Sequence, residues 1–220
     1  MPTLPHLSGT FIDYFDLFVG GMWVTIKLTV VSILIALVIG LVFALFKISN
    51  VKVLDWIANA YIWLVRGTPL IVQIFVLYFG LQAIISLTGF WAATWALAFH
   101  SGAYIAEIIR GAIQSIDKGQ REAGRSLGMS LPLTMRRIIL PQAFRRAIPP
   151  LSNQFIIGLK DSSLAAFVGI PEIFNISTTQ AATNFDPLTF YIISAVYYLF
   201  LVFIFTIASN MLEKRLESSD

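Results

Sequence analysis

The chain has 220 residues, of which 57% are hydrophobic and 12% charged. A soluble domain carries about 25% charged residues, so this composition cannot cover a water-soluble core and defines an integral membrane protein. There is no cysteine, which excludes disulfides, thiolate metal sites and cysteine nucleophiles.

The first Lys or Arg is Lys27. The basic start of a signal peptide is missing, and no small-residue cleavage site follows a short apolar run, so none is expected. A spanning helix needs about 20 mostly apolar residues. Leu28 to Phe46 is uncharged and, with Met22 to Lys27, makes a first span over residues 20–46. Within it Ser32, Ala36, Gly40 and Ala44 recur every four residues, a small-residue stripe that admits another helix at close range.

Asn50 to Val65 is more mixed and carries Lys52, Asp55 and Trp56. It reads as an interfacial helix or as the lower turns of a second span, 54–87. "RGTP" (Arg66 to Pro69) lies within it. Gly67 to Ala106 contains no Asp, Glu, Lys or Arg. That run is too long for one span and suits two, joined near "SLTG" (Ser86 to Gly89), with the third over 90–116.

The third span has two faces. Ala98, Gly102 and Ala106 form a small-residue stripe. His100, Tyr104 and Glu107 share another face, about 200° away. An ionisable group at membrane depth costs roughly 2.5–3.5 kcal/mol on insertion scales. Such groups line a pathway or pair internally. For Glu107 the internal alternative is a pair with Arg110. For His100 it is a hydrogen bond to a neighbouring helix.

Residues 117–142 form a basic loop. A weaker fourth span, 143–163, starts near Ala147 and is interrupted by "KDSS" (Lys160 to Ser163). Asn153 and Lys160 share one of its faces, and Gln154 and Asp161 the adjacent one. Lys160–Asp161 reads either as an outer end meeting headgroups or as a broken helix lining a cavity. "VGIP" (Val168 to Pro171) favours the break. A fifth span covers 188–212. The whole chain, 1–220, is then one all-α membrane domain of about five transmembrane helices.

Eight of the 15 basic residues lie between Arg110 and Arg146, against two acids. Lys47 and Lys52 follow the first span, and Lys214 and Arg215 the last. The positive-inside rule puts all three groups in the cytoplasm, with the N-terminus outside and the C-terminus inside. An odd number of spans agrees. The charge is a topology signal, and no nucleic-acid partner is expected. No phosphate-binding glycine loop, H-E-x-x-H or G-x-S-x-G is present. With two histidines, one near the N-terminus, no metal site and no catalytic residue is expected.

The loop has more order than a topology signal needs. Asp117 to Leu127 suits a short helix, with Gly128 as a left-handed cap. Ser130 can start a second, with Pro132 in its first turn and Pro141 closing it. Leu127, Met129, Leu131 and Leu133 beside the turn make an amphipathic knob that needs a partner.

"EAGRSLGMSLPLTMRRIILP" resembles the EAA loop of permease subunits of bacterial ABC importers. That pattern is E-A-A, three residues, G, nine residues, then I-x-L-P. Glu122, Ala123, Gly128, Ile138, Leu140 and Pro141 fall in place. Gly124 replaces the second alanine, at about 1 kcal/mol of helix propensity. "RGTPLIVQIFVLYFGL", "HSGAYIAEIIRGAIQSIDKGQ" and "GLKDSSL" resemble the polar amino-acid branch of that family. The likeness covers roughly Gly21 to Lys214.

The resemblance implies a type I ABC importer permease-like fold in the bacterial cytoplasmic membrane. It implies two ABC ATPase subunits, a second permease subunit (a copy or a paralogue) and an extracytoplasmic amino-acid-binding protein. The chain itself would be no enzyme and bind no cofactor, with ATP and Mg on the partner ATPase. Glu122, Ala123, Gly124, Gly128, Met129, Ser130, Leu131 and Pro141 would form the ATPase-coupling surface. His100, Tyr104, Glu107, Asn153, Lys160, Asp161 and Ser162 are the candidate substrate pathway. A self-contained secondary transporter would carry an internal repeat, and none is found. A membrane enzyme using His100 and Glu107 as an acid–base pair would need a further polar group and a cofactor.

Overall fold

A computed structural model gives the fold and describes residues 4–49 and 51–217. The ends of the expected domain, and Asn50 at the start of the expected interfacial helix, lie outside the described residues. Among the described residues the regular structure is entirely helical. The helices are α1 (Leu4–Asp13), α2 (Phe15–Ile48), α3 (Lys52–Arg66), α4 (Leu70–Phe75) and α5 (Gly89–Gln114). They continue with α6 (Lys118–Ser126), α7 (Leu131–Thr134), α8 (Leu140–Asp161), α9 (Ile173–Asn184) and α10 (Pro187–Glu217). α4 runs into a π-helical turn at Val76–Gly80, and α7 meets α8 through another at Met135–Ile139.

α2, α5, α8 and α10 overlap the stretches expected for the first, third, fourth and fifth spans, and α3 with α4 the second. α2 and Pro187–Arg215 of α10 are long and apolar enough to cross a membrane. α3 and Leu70–Gly80 reach that standard together, bent at the break between them. The second span is therefore not one straight rod. Pro69 has no N–H to donate and disfavours helix at Thr68, so α3 stops at Arg66 and Pro69 caps α4 with φ −63°.

The fourth span corrects the expected one. α8 begins at Leu140, not near Ala147, and runs through Pro141, Pro149 and Pro150. Pro141 does not close a helix. The π turn before it passes the Leu140 N–H to the Met135 carbonyl. Its wider ring relieves the clash between a proline and the carbonyl four residues back. The break expected at "KDSS" is present. α8 ends at Asp161, a 3-10 segment follows over Ser162–Val168, and Gly169 turns left-handed with φ +75°.

The helices pack as two compact units. The first holds the chain up to Ile35, Thr68–Ala98 and Phe155–Ile207. Phe18, Leu159, Ile173, Phe190 and Ile193 fill one part of its core, with Tyr197 stacked on Phe18 at 5.1 Å. Leu28, Leu70, Ile74, Leu97 and Ala165 fill the other.

The second unit holds Ala36–Gly67, Phe99–Gln154 and the chain from Ala208. Here the small-residue stripes of α2 and α5 meet. A Cβ on Gly40 would lie 2.4 Å from Ile105 Cγ2 and 3.1 Å from the Ala106 nitrogen. One on Gly102 would lie 2.9 Å from Ile39 Cγ2 and 3.0 Å from the Tyr61 hydroxyl. Ala44 and Ala106 are fully buried. Tyr61 stacks on Phe43 at 4.0 Å and donates to the Phe99 carbonyl at 2.6 Å, fixing α3 on the same face.

Overpacking such a contact costs typically 1–3 kcal/mol. Gly102→Leu is expected to lower the melting temperature of the detergent-solubilised protein. Gly111→Leu, where nothing lies within 4 Å of an added Cβ, is the matched control and should leave it unchanged.

Candidate functional site

The basic loop folds as its residues dictate. Asp117 caps α6, its carboxylate accepting from the Gly119 N–H at 2.7 Å. At the other end Gly128 has φ +78°. Its N–H donates to the Arg125 carbonyl at 2.9 Å, and the Met129 N–H reaches back to the Gly124 carbonyl at 3.1 Å. These two bonds make a Schellman turn, which needs a residue free to take positive φ. Ser130 then stands at the N-cap position of α7 without a side-chain cap bond, its carbonyl accepting from the Thr134 N–H at 2.9 Å, and Pro132 lies in the first turn.

Gly124 has a second role. An added Cβ would lie 2.9 Å from Thr134 Cγ2 and 3.0 Å from Ile138 Cδ1. The glycine at this position lets α6 lie close on the segment after the turn. Glu122, Ala123, Ser130 and Leu131 are exposed, Met129 is half-buried, and Leu127 at the tip is 82% exposed. Pro141 is exposed in the first turn of α8. Leu127 is thus a large apolar side chain held open at the tip of the turn.

The polar face of α5 is real. His100, Tyr104 and Glu107 are all half-buried, and the His100 and Tyr104 rings lie 5.3 Å apart. The buried His100 Nδ1 has no hydrogen-bond partner among the described residues. Glu107 is paired with Arg110, which donates to Oε2 at 2.6 Å from one terminal nitrogen and at 3.2 Å from Nε. The internal pair foreseen for Glu107 therefore forms. It does not bury the carboxylate. Glu107 and Tyr104 line an open cleft of about 630 Å³ with Lys47, Asn59, Trp63 and Arg66. The Arg66 guanidinium sits 4.9 Å over the Tyr104 ring, within cation–π range. The cleft thus offers cations, one carboxylate and aromatic faces.

On α8, Asn153 and Lys160 are exposed and Asp161 is half-buried. Gln154, on the adjacent face, is buried. The Ser162 hydroxyl is fully buried and donates to the Leu159 carbonyl at 2.7 Å.

Glu172 forms a cluster that the sequence reading passed over. It lies between the fourth and fifth expected spans and is fully buried. It caps α9, accepting from the N–H groups of Phe174 at 2.9 Å and Asn175 at 2.6 Å. The Tyr198 hydroxyl of α10 donates to the same carboxylate at 2.6 Å. Beside it the Ile173 N–H donates to Thr25 Oγ1 of α2 at 3.3 Å. Gly21 makes room there, since a Cβ on it would lie 3.2 Å from the Ile173 nitrogen. One carboxylate and one hydroxyl thus fasten α9 to α2 and α10.

Residues 17–218 match the family described as binding-protein-dependent transport system inner membrane component. The chain belongs to that family. It is a transport permease subunit of the ABC importer type, and its place is the membrane. The permease is 39% identical to the L-cystine transport system permease protein TcyB of Bacillus subtilis, over 93% of this chain and 88% of the relative. It is 38% identical to the glutamine transport system permease protein GlnP of Escherichia coli K12, over 91% and 93%. A crystal structure of an amino acid ABC transporter with histidines superposes with a TM-score of 0.89 at 38% identity, covering 94% of this chain and 97% of the other. The inward-facing MetNI methionine ABC transporter shares the fold, with a TM-score of 0.79 at 21% identity over 93% and 98%.

In the permease, Glu172 had one sequence signal. A carboxylate directly after "VGIP" and before an apolar helical run stands where a helix N-cap belongs. Burial pushes its pKa up to about 7, and the three donors offset this only in part. The unfolded value is that of an ordinary glutamate, near 4.5. Between those values the folded state holds a proton that the unfolded state has released. Stability therefore falls as pH rises from about 4.5 to about 7 and is level above. Thermal melts of the purified permease across that window should show the decline, and Glu172→Gln should flatten it.

Proposed function

We propose that the permease is the translocation subunit of an ATP-driven amino-acid importer in the bacterial inner membrane. Two permease subunits, two ABC ATPases and an extracytoplasmic amino-acid-binding protein make up the machine in this reading. ATP and Mg belong to the ATPases, and the permease binds no cofactor. The observation that carries the reading is the loop from Asp117 to Leu131: a Schellman turn presenting Glu122 and the exposed Leu127 at the end of a basic segment. Glu122 meets a basic residue of the ATPase, and the apolar tip enters its groove. Closure of the ATPases moves the loop. ATP and the loaded binding protein each prefer one state, as a two-state shift requires.

The Lys and Arg asymmetry supports an outside N-terminus and a cytoplasmic loop. On this cysteine-free chain, an impermeant thiol reagent would label Thr10→Cys but not Ser130→Cys in intact cells. The opposite pattern would overturn the orientation.

An amino acid carries an ammonium and a carboxylate, so a pathway for it needs both signs of charge. Each unit brings candidates of its own: Glu107, with His100, Tyr104 and Asn153, for the ammonium, and Lys160, with Asp161 and Ser162, for the carboxylate. A second reading has a specific observation behind it. The Glu107–Arg110 pair already satisfies the carboxylate, which suits a smooth pore whose selectivity resides in the binding protein.

Uptake by proteoliposomes of the whole complex tests both parts. Gly128→Pro cannot hold positive φ, and Glu122→Lys repels a basic partner. Both are expected to insert normally, lose uptake and lose binding-protein-stimulated ATP hydrolysis. His100→Ala and Lys160→Ala are expected to keep ATPase docking and raise the half-saturating substrate concentration roughly 10- to 150-fold, the worth of a charge-assisted hydrogen bond. Unchanged half-saturation in both would select the smooth pore.

A further inference from the structure

The second unit also carries an apolar groove of about 350 Å³ between α2, α5 and α8. Leu37 and Leu41 form one wall, Ile109 another, and Leu140, Phe144 and Leu151 the third. No polar side chain lines it. Phe144 is 61% exposed and Leu41 49%, so the rim is open. Along α8 it extends from Leu140 to Leu151. At 1.5 Å per residue that is about 17 Å, close to half the hydrocarbon thickness of about 30 Å. The groove has the length of one leaflet.

Its loop-side end is basic. Arg136 and Arg137, both exposed, occupy the helical turn immediately before Leu140. From Ala123 through Lys160 the chain contains no Asp or Glu, while holding Arg125, Arg136, Arg137, Arg145 and Arg146. Arg146 is engaged, donating to the Ser115 carbonyl at 2.5 Å. Arg136 and Arg137 stand exposed one turn before Leu140, at the groove's end. Guanidinium groups favour phosphate through paired, planar donors. An acyl chain under an anionic headgroup complements both the apolar lining and this charge.

We propose that this groove is a binding site for an anionic phospholipid of the loop-side leaflet. One acyl chain lies along α8 between Leu41 and Phe144, and the phosphate meets Arg136 and Arg137. Juxtamembrane basic residues attract anionic lipid; the groove adds shape to that attraction.

Native mass spectrometry of the detergent-purified transport complex tests this. The complex is offered phosphatidylglycerol, phosphatidylcholine with the same acyl chains, or glycerol phosphate alone. Phosphatidylglycerol should be retained at one molecule per permease subunit, about tenfold over phosphatidylcholine, with no retention of glycerol phosphate. Arg136→Gln with Arg137→Gln should abolish the preference between the lipids, and the matching lysine pair should keep most of it. Leu41→Trp, filling the groove from its exposed rim, should remove both lipids. Equal retention of the two lipids by the unmodified complex would overturn the proposal. So would an unchanged preference in the glutamine pair, or retention of glycerol phosphate by itself. Loss of the second permease copy in Leu41→Trp, with lipid retention intact, would reassign the groove as an interface between copies. Should the tryptophan variant fail to assemble, the glutamine pair decides alone.

Discussion

A bilayer offers the backbone no hydrogen-bond partner, and each unpaired N–H or C=O there costs several kcal/mol. That constraint explains why the described chain is helical almost throughout, and why three of its helix breaks are serviced by side chains. Where α3 gives way to α4, the Gln73 amide donates to the Thr68 carbonyl at 3.1 Å and to its hydroxyl at 2.9 Å. Past the end of α8, the Asn175 amide donates to the Ala166 carbonyl at 3.2 Å. At the start of α9, Glu172 and Thr25 take three of the N–H groups that no helical carbonyl can reach. The polar residues of this greasy chain are spent on its interruptions.

The same constraint decides what was legible in the sequence. Long uncharged runs have one solution in a bilayer, so α2 and α10 could be read from composition alone. The small-residue stripes were legible because helices in lipid approach through small residues, and Gly40 and Gly102 do face each other's helices. α8 was not legible at its start. Its first three turns carry Pro141, Arg145, Arg146, Pro149 and Pro150, a pattern that reads as loop. It folds as helix because the π turn at Met135–Ile139 rearranges the hydrogen bonding ahead of Pro141. Such a turn leaves no compositional mark.

The site divided along similar lines. The coupling loop was legible because its features are local: Asp117 as a cap, Gly128 at positive φ, Ser130 restarting the helix. The shared face of His100, Tyr104 and Glu107 was legible from helical period. What they face was not. The cations beside them, Lys47 and Arg66, come from helices distant in sequence, and no spacing rule connects α2, α3 and α5. Glu172 was missed for the opposite reason. Its environment is built from Thr25, Phe174 and Tyr198, and a lone glutamate after a proline carries no sign of being buried. The close contact of Gly124 on Thr134 was hidden too. It looked like a lapse in helix propensity, and it is the space that lets the two halves of the loop touch.

The π turn has a mechanical consequence. Because it joins α7 to α8 without a loop, hydrogen-bonded helix runs from Leu131 to Asp161. Under the proposed coupling, a push at Leu131 enters one helical rod rather than a flexible connection. That rod has two places where it can bend, the π turn itself and the Pro149–Pro150 pair, since both lack regular backbone hydrogen bonds. At its far end the 3-10 segment and the left-handed Gly169 separate it from α9. α9 in turn is fastened to α2 and α10 through Glu172 and Thr25. That far end lies at Asp161 and Ser162, two of the residues proposed for the pathway.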